Sequence, residues 1–371
     1  MRLDRLKIVQ VSLPLIRPWR TAYGDHGTVG GVLVNACSEG ADVWVESTPF
    51  DHPIFCPESS TSVFFNLRDI FGPHVIGKDF DNTASVINHL SAFRGNPFAK
   101  AAIDHCFWAL ESVKQHKPLH ELLGAERHKV QVGADFEVMD SIDDLLAHIA
   151  QAIDVGFPRV KLKVRPGNDT EVIRAVRKAF SDLAFHVDCN GGYSLDSLST
   201  FKEWDRYAMA MIEQPLHHND ILEHAQLQAQ IETPVCLDES VKSVRDAELA
   251  VRNKACKVIN IKPGRVGGLT ASKAIHDLCA DAGVPCWVGS MLESGVGAGI
   301  LIELAMLPNF TYPADIFPST RFYHQDLVSP QIELQDGFYV KASTQPFTGY
   351  VPNEDQIAQR TVRSAEITGQ S

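Results

Sequence analysis

Five short apolar runs in the middle of the chain each end in a charged side chain: Lys161-Leu162-Lys163, Val187-Asp188, Ile212-Glu213, Leu237-Asp238 and Ile261-Lys262. The last residues of these runs follow one another at intervals of 25, 25, 25 and 24 residues. An interval of this length accommodates one strand, one helix and two loops. The spacing therefore predicts that three carboxylates and two flanking lysines come together at one level of a parallel barrel.

A strand–helix alternation extends this pattern from about residue 129 to residue 315. Apolar runs typical of strands occur at 130–134, 159–164, 184–188, 209–213, 235–238, 258–262, 285–288 and 311–315. Amphipathic segments typical of helices occur between several of them, at 171–180, 195–207, 220–230 and 270–282. Strands that alternate with helices in about eight units predict an α/β fold whose parallel strands close into a (β/α) barrel.

Strand alternation predicts where these charged side chains point. Successive side chains in a strand point to opposite faces of the sheet, so the residue before each charged residue should face the surrounding helices. These preceding residues are all apolar: Leu162, Val187, Ile212, Leu237 and Ile261. The charged groups are therefore expected to point into the barrel at its C-terminal mouth, where barrel active sites lie.

The flanking regions predict a second, smaller domain. Residues 1–125 combine strand-like stretches with helical patterns, which is typical of an α+β domain. The barrel is expected to span residues 126–330. A hairpin with Asp336-Gly337 at its turn is predicted within residues 331–341, and we expect the segment 331–371 to return to the first domain and complete it.

The composition is that of an acidic globular protein and excludes several classes of function. With 34 basic and 46 acidic residues the net charge is −12, which argues against binding to nucleic acid or to an anionic membrane. No apolar stretch approaches the ~18 residues that a membrane span requires, and the N-terminus shows no signal peptide. The eight cysteines form no C-x-x-C pair, so we expect free thiols in a reducing cytoplasm.

Three inward carboxylates, Asp188, Glu213 and Asp238, predict a site for a divalent cation. One buried acid alone is usually part of a salt bridge, but three acids on successive strands are costly to desolvate unless a cation compensates them. An all-oxygen ligand set favours Mg²⁺, or Mn²⁺, over zinc. Asn190 follows Asp188 by two residues, and either orients a ligand or forms the turn before Gly191-Gly192.

The two flanking lysines, Lys163 and Lys262, are suited to removing a proton next to a carboxylate. The cation would stabilise the negative charge that develops on the substrate as an enediolate forms. A lysine acts as a base near neutral pH only when its ammonium form is disfavoured. The positive charges of Lys161, of the cation and of Arg265 act in that direction, so the substrate is expected to be a small-molecule carboxylate.

Other motifs are weaker. His217-His218 occupies a predicted loop at the barrel mouth, where a solvated loop is favoured over a catalytic or metal-binding role. The glycines in Pro263–Gly268 do not have the spacing of a phosphate-binding loop or a dinucleotide fingerprint, and a tight turn explains them. The chain contains no G-x-S-x-G or H-E-x-x-H motif, so it is not expected to be a serine hydrolase or a zinc protease.

Several longer strings resemble the enolase superfamily, muconate-lactonizing subgroup, and within it the branch of o-succinylbenzoate synthases and N-acylamino acid racemases. They are Lys161-Leu162-Lys163, Asp188-Cys189-Asn190, Ile212-Glu213-Gln214-Pro215-Leu216, Leu237-Asp238-Glu239-Ser240, Asn260-Ile261-Lys262-Pro263-Gly264-Arg265-Val266-Gly267-Gly268 and Met291-Leu292-Glu293-Ser294-Gly295. The chain departs from the family pattern at Cys189, where alanine is usual, and at Ser290, where glycine is usual. The positions of the three acids and the lysines are unchanged.

The resemblance implies a modified TIM barrel, (β/α)₇β, beneath an α+β capping domain, and a homo-oligomeric assembly. It implies Mg²⁺ on Asp188, Glu213 and Asp238, with Lys163, Lys262 and Lys161 as catalytic residues. The first two lysines are expected to act as acid/base groups on opposite faces of the substrate. A cap loop around Pro18–Thr21 is expected to cover the pocket. The residues implied to bind substrate are Asn190, Arg20, Ser290, Met291 and Glu293.

The resemblance also implies two related activities. The expected reaction is that of o-succinylbenzoate synthase, a dehydration in menaquinone biosynthesis, in which Lys163 removes the α-proton, a β-hydroxyl leaves and Lys262 stabilises charge. The alternative is N-acylamino acid racemase, in which both lysines exchange protons with the α-carbon. A cycloisomerase or a dipeptide epimerase uses the same residues. A non-catalytic binding protein would be expected to have lost a ligand or a lysine.

Overall fold

The computed structural model of the protein describes residues 1–167 and 169–369. Its strands are β1 (Arg5–Thr21), β2 (Gly24–Ser38), β3 (Ala41–Ser47), β4 (Lys129–Gln131), β5 (Ala134–Phe136), β6 (Val160–Lys163), β7 (Phe185–Asp188), β8 (Ile212–Glu213), β9 (Val235–Leu237), β10 (Val258–Ile261), β11 (Cys286–Val288), β12 (Val328–Ser329), β13 (Tyr339–Lys341), β14 (Val351–Pro352) and β15 (Thr361–Thr368). Its α-helices are α1 (Ser60–Asn66), α2 (Gly72–Val75), α3 (Thr83–Leu90), α4 (Pro97–Gln115), α5 (Leu119–Leu123), α6 (Ile142–Val155), α7 (Asp169–Ala179), α8 (Leu198–Trp204), α9 (Leu222–Gln228), α10 (Val244–Arg252), α11 (Pro263–Val266), α12 (Leu269–Asp281), α13 (Gly295–Ala305) and α14 (Glu354–Arg360). A π-helical turn, Leu67–Phe71, joins α1 to α2.

The first domain is built on an antiparallel sheet with the strand order β15-β1-β2-β3. Its strands are rich in β-branched residues, and side chains such as Leu6, Ile8 and Val34 are completely buried. The long helix α4 packs against β3 and β2 and covers the sheet. The predicted α+β character of this domain is confirmed.

The β1–β2 ribbon includes a segment that was predicted to be a loop. Its register is irregular between Pro14 and Trp19, since proline has no N–H to donate to the ladder. Pairing then resumes until Thr21 lies opposite Gly24. The segment Pro18–Thr21, predicted to be a loop, is therefore the end of a β-ribbon.

The second domain is built on a parallel sheet with the order β11-β10-β9-β8-β7-β6-β5. Helices connect its strands, so the predicted α/β architecture is confirmed. The register explains the 25-residue period: Lys163 is the Cα partner of Asp188, and Asp188 is the partner of Glu213. Asp238 lies two residues beyond Cys236, the partner of Glu213, because strands in a closed barrel are staggered.

The barrel is closed by an extended segment, residues 310–315. It was predicted as the eighth strand but is hydrogen-bonded too sparsely to form a regular one. On one side the N–H groups of Thr311 and Asp315 donate to the carbonyls of Cys286 and Val288 in β11 at 3.1 and 2.9 Å. On the other side the N–H of Gly133, next to β5, donates to the Ala314 carbonyl at 3.0 Å. The fold is therefore a (β/α)₇β barrel with a capping domain.

Several barrel helices begin and end where the sequence provides caps. Ser141 accepts a hydrogen bond from the Asp144 N–H at the start of α6, and Ser243 accepts one from the Asp246 N–H at the start of α10. Gly156, with φ of +99°, ends α6. Within the described residues, no helix combines the length and the hydropathy of a membrane span. All eight cysteines are free thiols.

The C-terminal region divides between the two sheets. β13 pairs with β4 at the entry to the barrel, whereas β15 pairs with β1 in the sheet of the first domain. In the described part of the segment 331–371, the predicted hairpin contacts the start of the barrel, whereas β15 extends the first sheet. The proposed domain limits at residues 125 and 331 stay a prediction.

Gly268 provides a test of the packing between the domains. Its backbone has φ of +118°, and a Cβ there would collide with the buried Asp104 carboxylate of α4. Gly283 has φ of +69° but open space around it. We expect Gly283→Ala to cost about 1 kcal/mol of stability and Gly268→Ala about 3 kcal/mol, since the second adds a steric collision to a conformation that only glycine adopts readily. Thermal midpoints of the two variants measure this, and equal midpoints would contradict it.

Candidate active site

Three carboxylates converge at the C-terminal edge of the parallel sheet. Asp188 ends β7, Glu213 ends β8, and Asp238 follows β9. All three are completely buried, and one oxygen of each lies within 4.8 Å of the others. The apolar residues that precede them are also buried, as strand alternation requires. The predicted grouping of the acids is thus present in the structure.

Lysines compensate these buried charges. Lys163 Nζ lies 2.7 Å from Asp188 Oδ2, and Lys262 Nζ lies 2.8 Å from Asp238 Oδ2. Lys161 Nζ lies 2.9 Å from Asp188 Oδ2 and 2.8 Å from Glu213 Oε2. Because a buried charge without a partner is strongly destabilising, these contacts allow the carboxylates to stay ionised.

The pKa directions agree with this arrangement. Burial alone would raise the pKa of Asp188, but the ammonium groups of Lys161 and Lys163 lower it well below its ordinary value. Burial and Asp188 would raise the pKa of Glu213, and Lys161 and His186 lower it. Burial would lower the pKa of Lys161, but Asp188, Asp315 and Glu213 raise it well above its ordinary value. Lys161 is therefore held as an ammonium ion.

A second layer of charge lies below the carboxylates. Lys161 Nζ contacts Asp315 Oδ2 at 3.2 Å, and the buried Arg159 bridges Asp315 and Asp135. The sequence analysis did not identify Asp135 or Asp315 as site residues. Asp135 is the register partner of Lys161 and lies 26 residues before it, so the 25-residue interval does not reach it.

Asn190 lies between Lys163 and Glu239. Its Oδ1 accepts a hydrogen bond from Lys163 Nζ at 3.0 Å, and its Nδ2 donates to Glu239 Oε1 at 3.0 Å. Its backbone is left-handed, with φ of +44°, which asparagine tolerates better than most residues. Asn190 therefore orients Lys163 as well as forming the turn. Its predicted contact with substrate stays a prediction.

A small cavity lies between the two domains, beside Lys163 and Lys262. The capping domain, the barrel and the loops after β11 and after the closing segment all line it, with Trp19, Tyr23, Phe50, Asp135, Lys161, Lys163, Lys262, Ser290, Met291, Leu292, Asp315 and Phe317. Charged side chains of the barrel and aromatic side chains of the capping domain meet in it. The predicted residues Ser290 and Met291 lie at this cavity.

Three of the residues predicted to bind substrate are not among the described residues that line this cavity: Asn190, Arg20 and Glu293. Arg20 pairs with Asp140 at 2.8 Å and with Asp25 at 3.4 Å, and it is not among the described residues that line the cavity. Glu293 accepts hydrogen bonds from Ser290 Oγ at 2.6 Å and from the Met291 N–H at 2.9 Å. Glu293 thus shapes the loop that contributes Ser290 and Met291.

The capping domain also contacts Lys262 directly. Phe55, which is 7% exposed, places its ring 4.7 Å from Lys262 Nζ. An aromatic face attracts an ammonium group and is worth roughly 1 kcal/mol or more when the pair is dry. The sequence offered no local signal for this contact, because Phe55 and Lys262 belong to different domains. His217 and His218 are exposed at the barrel mouth, as expected for a solvated loop.

The carboxylates fit a divalent cation. The donor set consists of oxygens only, and one oxygen of Glu213 and one of Asp238 accept no hydrogen bond from any described residue, although both lie near cationic groups. Three buried anionic oxygens at this separation match the preference of hard cations for carboxylate ligands. The residues present could therefore hold a divalent metal ion.

Comparison with known proteins agrees with the geometry. Residues 4–124 match the family described as mandelate racemase/muconate lactonizing enzyme, N-terminal domain, and residues 144–356 match the family described as enolase C-terminal domain-like. The chain is 36% identical over 368 residues to o-succinylbenzoate synthase of Bacillus subtilis, covering 99% of this chain and 98% of that protein. It is 36% identical over 337 residues to N-succinylamino acid racemase of Thermus thermophilus, covering 91% of both.

Solved structures show the same fold. An enolase superfamily member from Listeria innocua superimposes with a TM-score of 0.95 at 31% identity, covering 99% of both chains. Muconate lactonizing enzyme from Pseudomonas fluorescens superimposes with a TM-score of 0.91 at 24% identity, covering 97% of this chain and 99% of that one, which supports the fold alone. From the two domain matches and the near full-length relatives, the chain belongs to the mandelate racemase/muconate lactonizing enzyme family of the enolase superfamily, a family of enzymes.

Proposed function

We propose that the protein removes the proton α to the carboxylate of a small-molecule substrate, and that its principal reaction is the dehydration that forms o-succinylbenzoate. The observation that carries this proposal is the placement of Lys163 and Lys262. β6 and β10 have three strands between them in either direction around the closed barrel, so the two lysines lie on opposite sides of one cavity. The carboxylates lie between them.

The side chains have distinct roles in this proposal. Lys163, oriented by Asp188 and Asn190, accepts the α-proton, and a carbon–carbon double bond forms as the β-hydroxyl leaves. Lys163 returns the proton to this hydroxyl, which departs as water. Lys262, on the other side, stays protonated and stabilises the negative charge that develops on the substrate. The ring of Phe55 contacts this ammonium group.

The cation is proposed to be Mg²⁺, with Mn²⁺ as the alternative, held by Asp188, Glu213 and Asp238. When bound, it would supply electrostatic stabilisation of the substrate carboxylate. The oxygen-only ligand set supports this choice over zinc. Enolase-superfamily sites with a lysine or histidine base and Mg²⁺ are a standard example of this chemistry.

N-acylamino acid racemisation is the second candidate. The same geometry supports it, since a base on each side of the α-carbon is what exchange between two enantiomers requires. The similarity to N-succinylamino acid racemases over most of the chain points the same way. In this reaction Lys262 would donate and accept a proton rather than only stabilise charge.

Contacts with the rest of the substrate are assigned to the cavity wall. We propose that Ser290 and Met291 contact the substrate directly and that Asn190 binds it through its amide. Arg20 and Glu293 are assigned indirect roles, through the ribbon and the loop that they hold.

A homo-oligomeric assembly and a cytoplasmic location are part of the proposal.

The metal proposal predicts a thermal shift. Adding Mg²⁺ at about 100 times its dissociation constant should stabilise the folded protein by about 2.7 kcal/mol, since the ion binds only the assembled site. The thermal midpoint should therefore rise by several degrees in the wild type and stay unchanged in Asp238→Asn. The control is Asp104→Asn, which alters a buried carboxylate of α4 outside the site and should keep the shift. A shift that survives in Asp238→Asn would contradict the assignment.

The lysine proposal predicts a pattern of activities. Lys163→Ala should lower kcat for the dehydration by roughly 10³-fold, a typical value for loss of a positioned base, whereas Lys273→Ala, on α12 outside the cavity lining, should leave it unchanged. If the protein racemises N-acyl amino acids, Lys163→Ala and Lys262→Ala should each abolish α-proton exchange in D₂O with a different enantiomer.

The ratio of rates decides between the two reactions. Rapid dehydration with negligible racemisation in the wild type supports the principal proposal, and the reverse ratio would replace it with the racemase. If Lys163→Ala dehydrated the substrate at the wild-type rate, the assignment of Lys163 as the base would be wrong. Steady-state kinetics and NMR detection of α-deuteration measure these outcomes.

A further inference from the structure

One carboxylate of the capping domain is buried in the barrel domain, outside the cavity. Glu46 lies on β3 and is 2% exposed. Its Oε2 accepts hydrogen bonds from Ser294 Oγ at 2.5 Å and from the Gly297 N–H at 2.9 Å. Its Oε1 accepts from the Ser294 N–H at 3.1 Å and from Thr48 Oγ1 at 2.8 Å. Three of these four donors belong to the start of α13.

The surroundings of Glu46 are shaped to admit this carboxylate. A Cβ at Gly297 would lie 3.0 Å from Oε2, and a Cβ at Gly31 would lie 3.3 Å from Oε1. Burial raises the pKa of Glu46 to about 7, against the opposing effect of the donors on Ser294 and Thr48. Removing this carboxylate from water is costly, and its four hydrogen bonds offset that cost. They indicate a specific contact between the domains.

The position of this contact matters because of what lies on each side of it. β3 continues into the chain that contributes Phe50 to the cavity. On the barrel side, Ser294 directly follows the loop whose residues Ser290, Met291 and Leu292 also line the cavity. Glu46 therefore joins the backbones that support the capping-domain wall and the barrel wall of one cavity.

We infer that Glu46 is a positioning residue that fixes the separation of these two walls. This separation limits the size of the substrate group that lies far from the reacting carboxylate. This inference rests on the proposed function for the identity of the substrate. The Glu46 carboxylate is not among the described residues that line the cavity, so it acts through the Ser290–Leu292 loop. Loss of the contact should change how well substrates fit, and should leave the lysines and the metal ligands in place.

The chain offers a matched control for helix stability. Asp326, 4% exposed, also accepts a hydrogen bond at the start of α13, from the Gly295 N–H at 2.8 Å. It belongs to the barrel domain, so it caps the same helix without joining the two domains. Asp326→Asn should therefore weaken α13 as Glu46→Gln does, but should leave the spacing of the walls unchanged.

The experiment compares Glu46→Gln with Asp326→Asn in the full-length protein saturated with Mg²⁺. Both variants should lower the thermal midpoint. Only Glu46→Gln should raise KM about tenfold for the carboxylate substrate that the wild type turns over best, with kcat within about twofold, because misplaced walls weaken binding rather than proton transfer. Discrimination along a series of N-acyl amino acids of increasing acyl length should also become weaker. Hydrogen–deuterium exchange of residues 286–293 should accelerate only in Glu46→Gln.

The outcomes separate the possible roles of Glu46. Equal KM changes in the two variants, or an unchanged KM in Glu46→Gln, would overturn the inference and leave Glu46 as a helix cap. If Glu46→Gln does not fold, Glu46→Asp takes its place, since it keeps the charge and withdraws it by one methylene. If the wild type turns over none of the carboxylates, the proposed function fails, and the exchange measurement still decides whether Glu46 holds the loop.

Discussion

The structure depends on the compensation of three carboxylates that are completely buried at the barrel mouth. Each would cost several kcal/mol to remove from water alone, and the ammonium groups of Lys161, Lys163 and Lys262 provide the opposing charge. Loss of Lys161 would remove the lysine of Glu213, whereas Asp188 and Asp238 each contact two cationic side chains. The residues of the site therefore also hold neighbouring strands together. A cation that enters must share the carboxylates with these ammonium groups, which couples metal binding to the position of both proposed acid/base lysines.

The sequence predicted the parts of this site that repeat with the strands. The 25-residue interval placed Lys163, Asp188 and Glu213 correctly because it equals the register of adjacent parallel strands, and the buried Leu162 and Val187 confirmed their direction. The contacts of Phe55, Glu46 and Arg20 follow no such period. They join residues that are distant along the chain, and only the packing of the two domains determines them. The loop predicted at Pro18–Thr21 was wrong because strand pairing continues past a proline.

The two candidate reactions use the same charged residues and therefore differ through the cavity walls. Dehydration and racemisation both begin with loss of the α-proton, and a lysine on each side serves either. What differs is the group that must fit beside the α-carbon. Trp19 and Phe50 from the cap and Met291 from the barrel line the cavity where that group is proposed to bind. Under this proposal, the relative placement of the domains contributes to selectivity.

The closing segment of the barrel has a consequence for how the site comes into existence. Its hydrogen bonds seal the sheet between β11 and β5, and its last residue, Asp315, contacts both Arg159 and Lys161. The last part of the barrel wall and one of the acidic partners of Arg159 and Lys161 therefore come from the same late stretch of chain. During synthesis on the ribosome, the sheet stays open between β11 and β5, and these two cations lack the Asp315 carboxylate, until this stretch is in place.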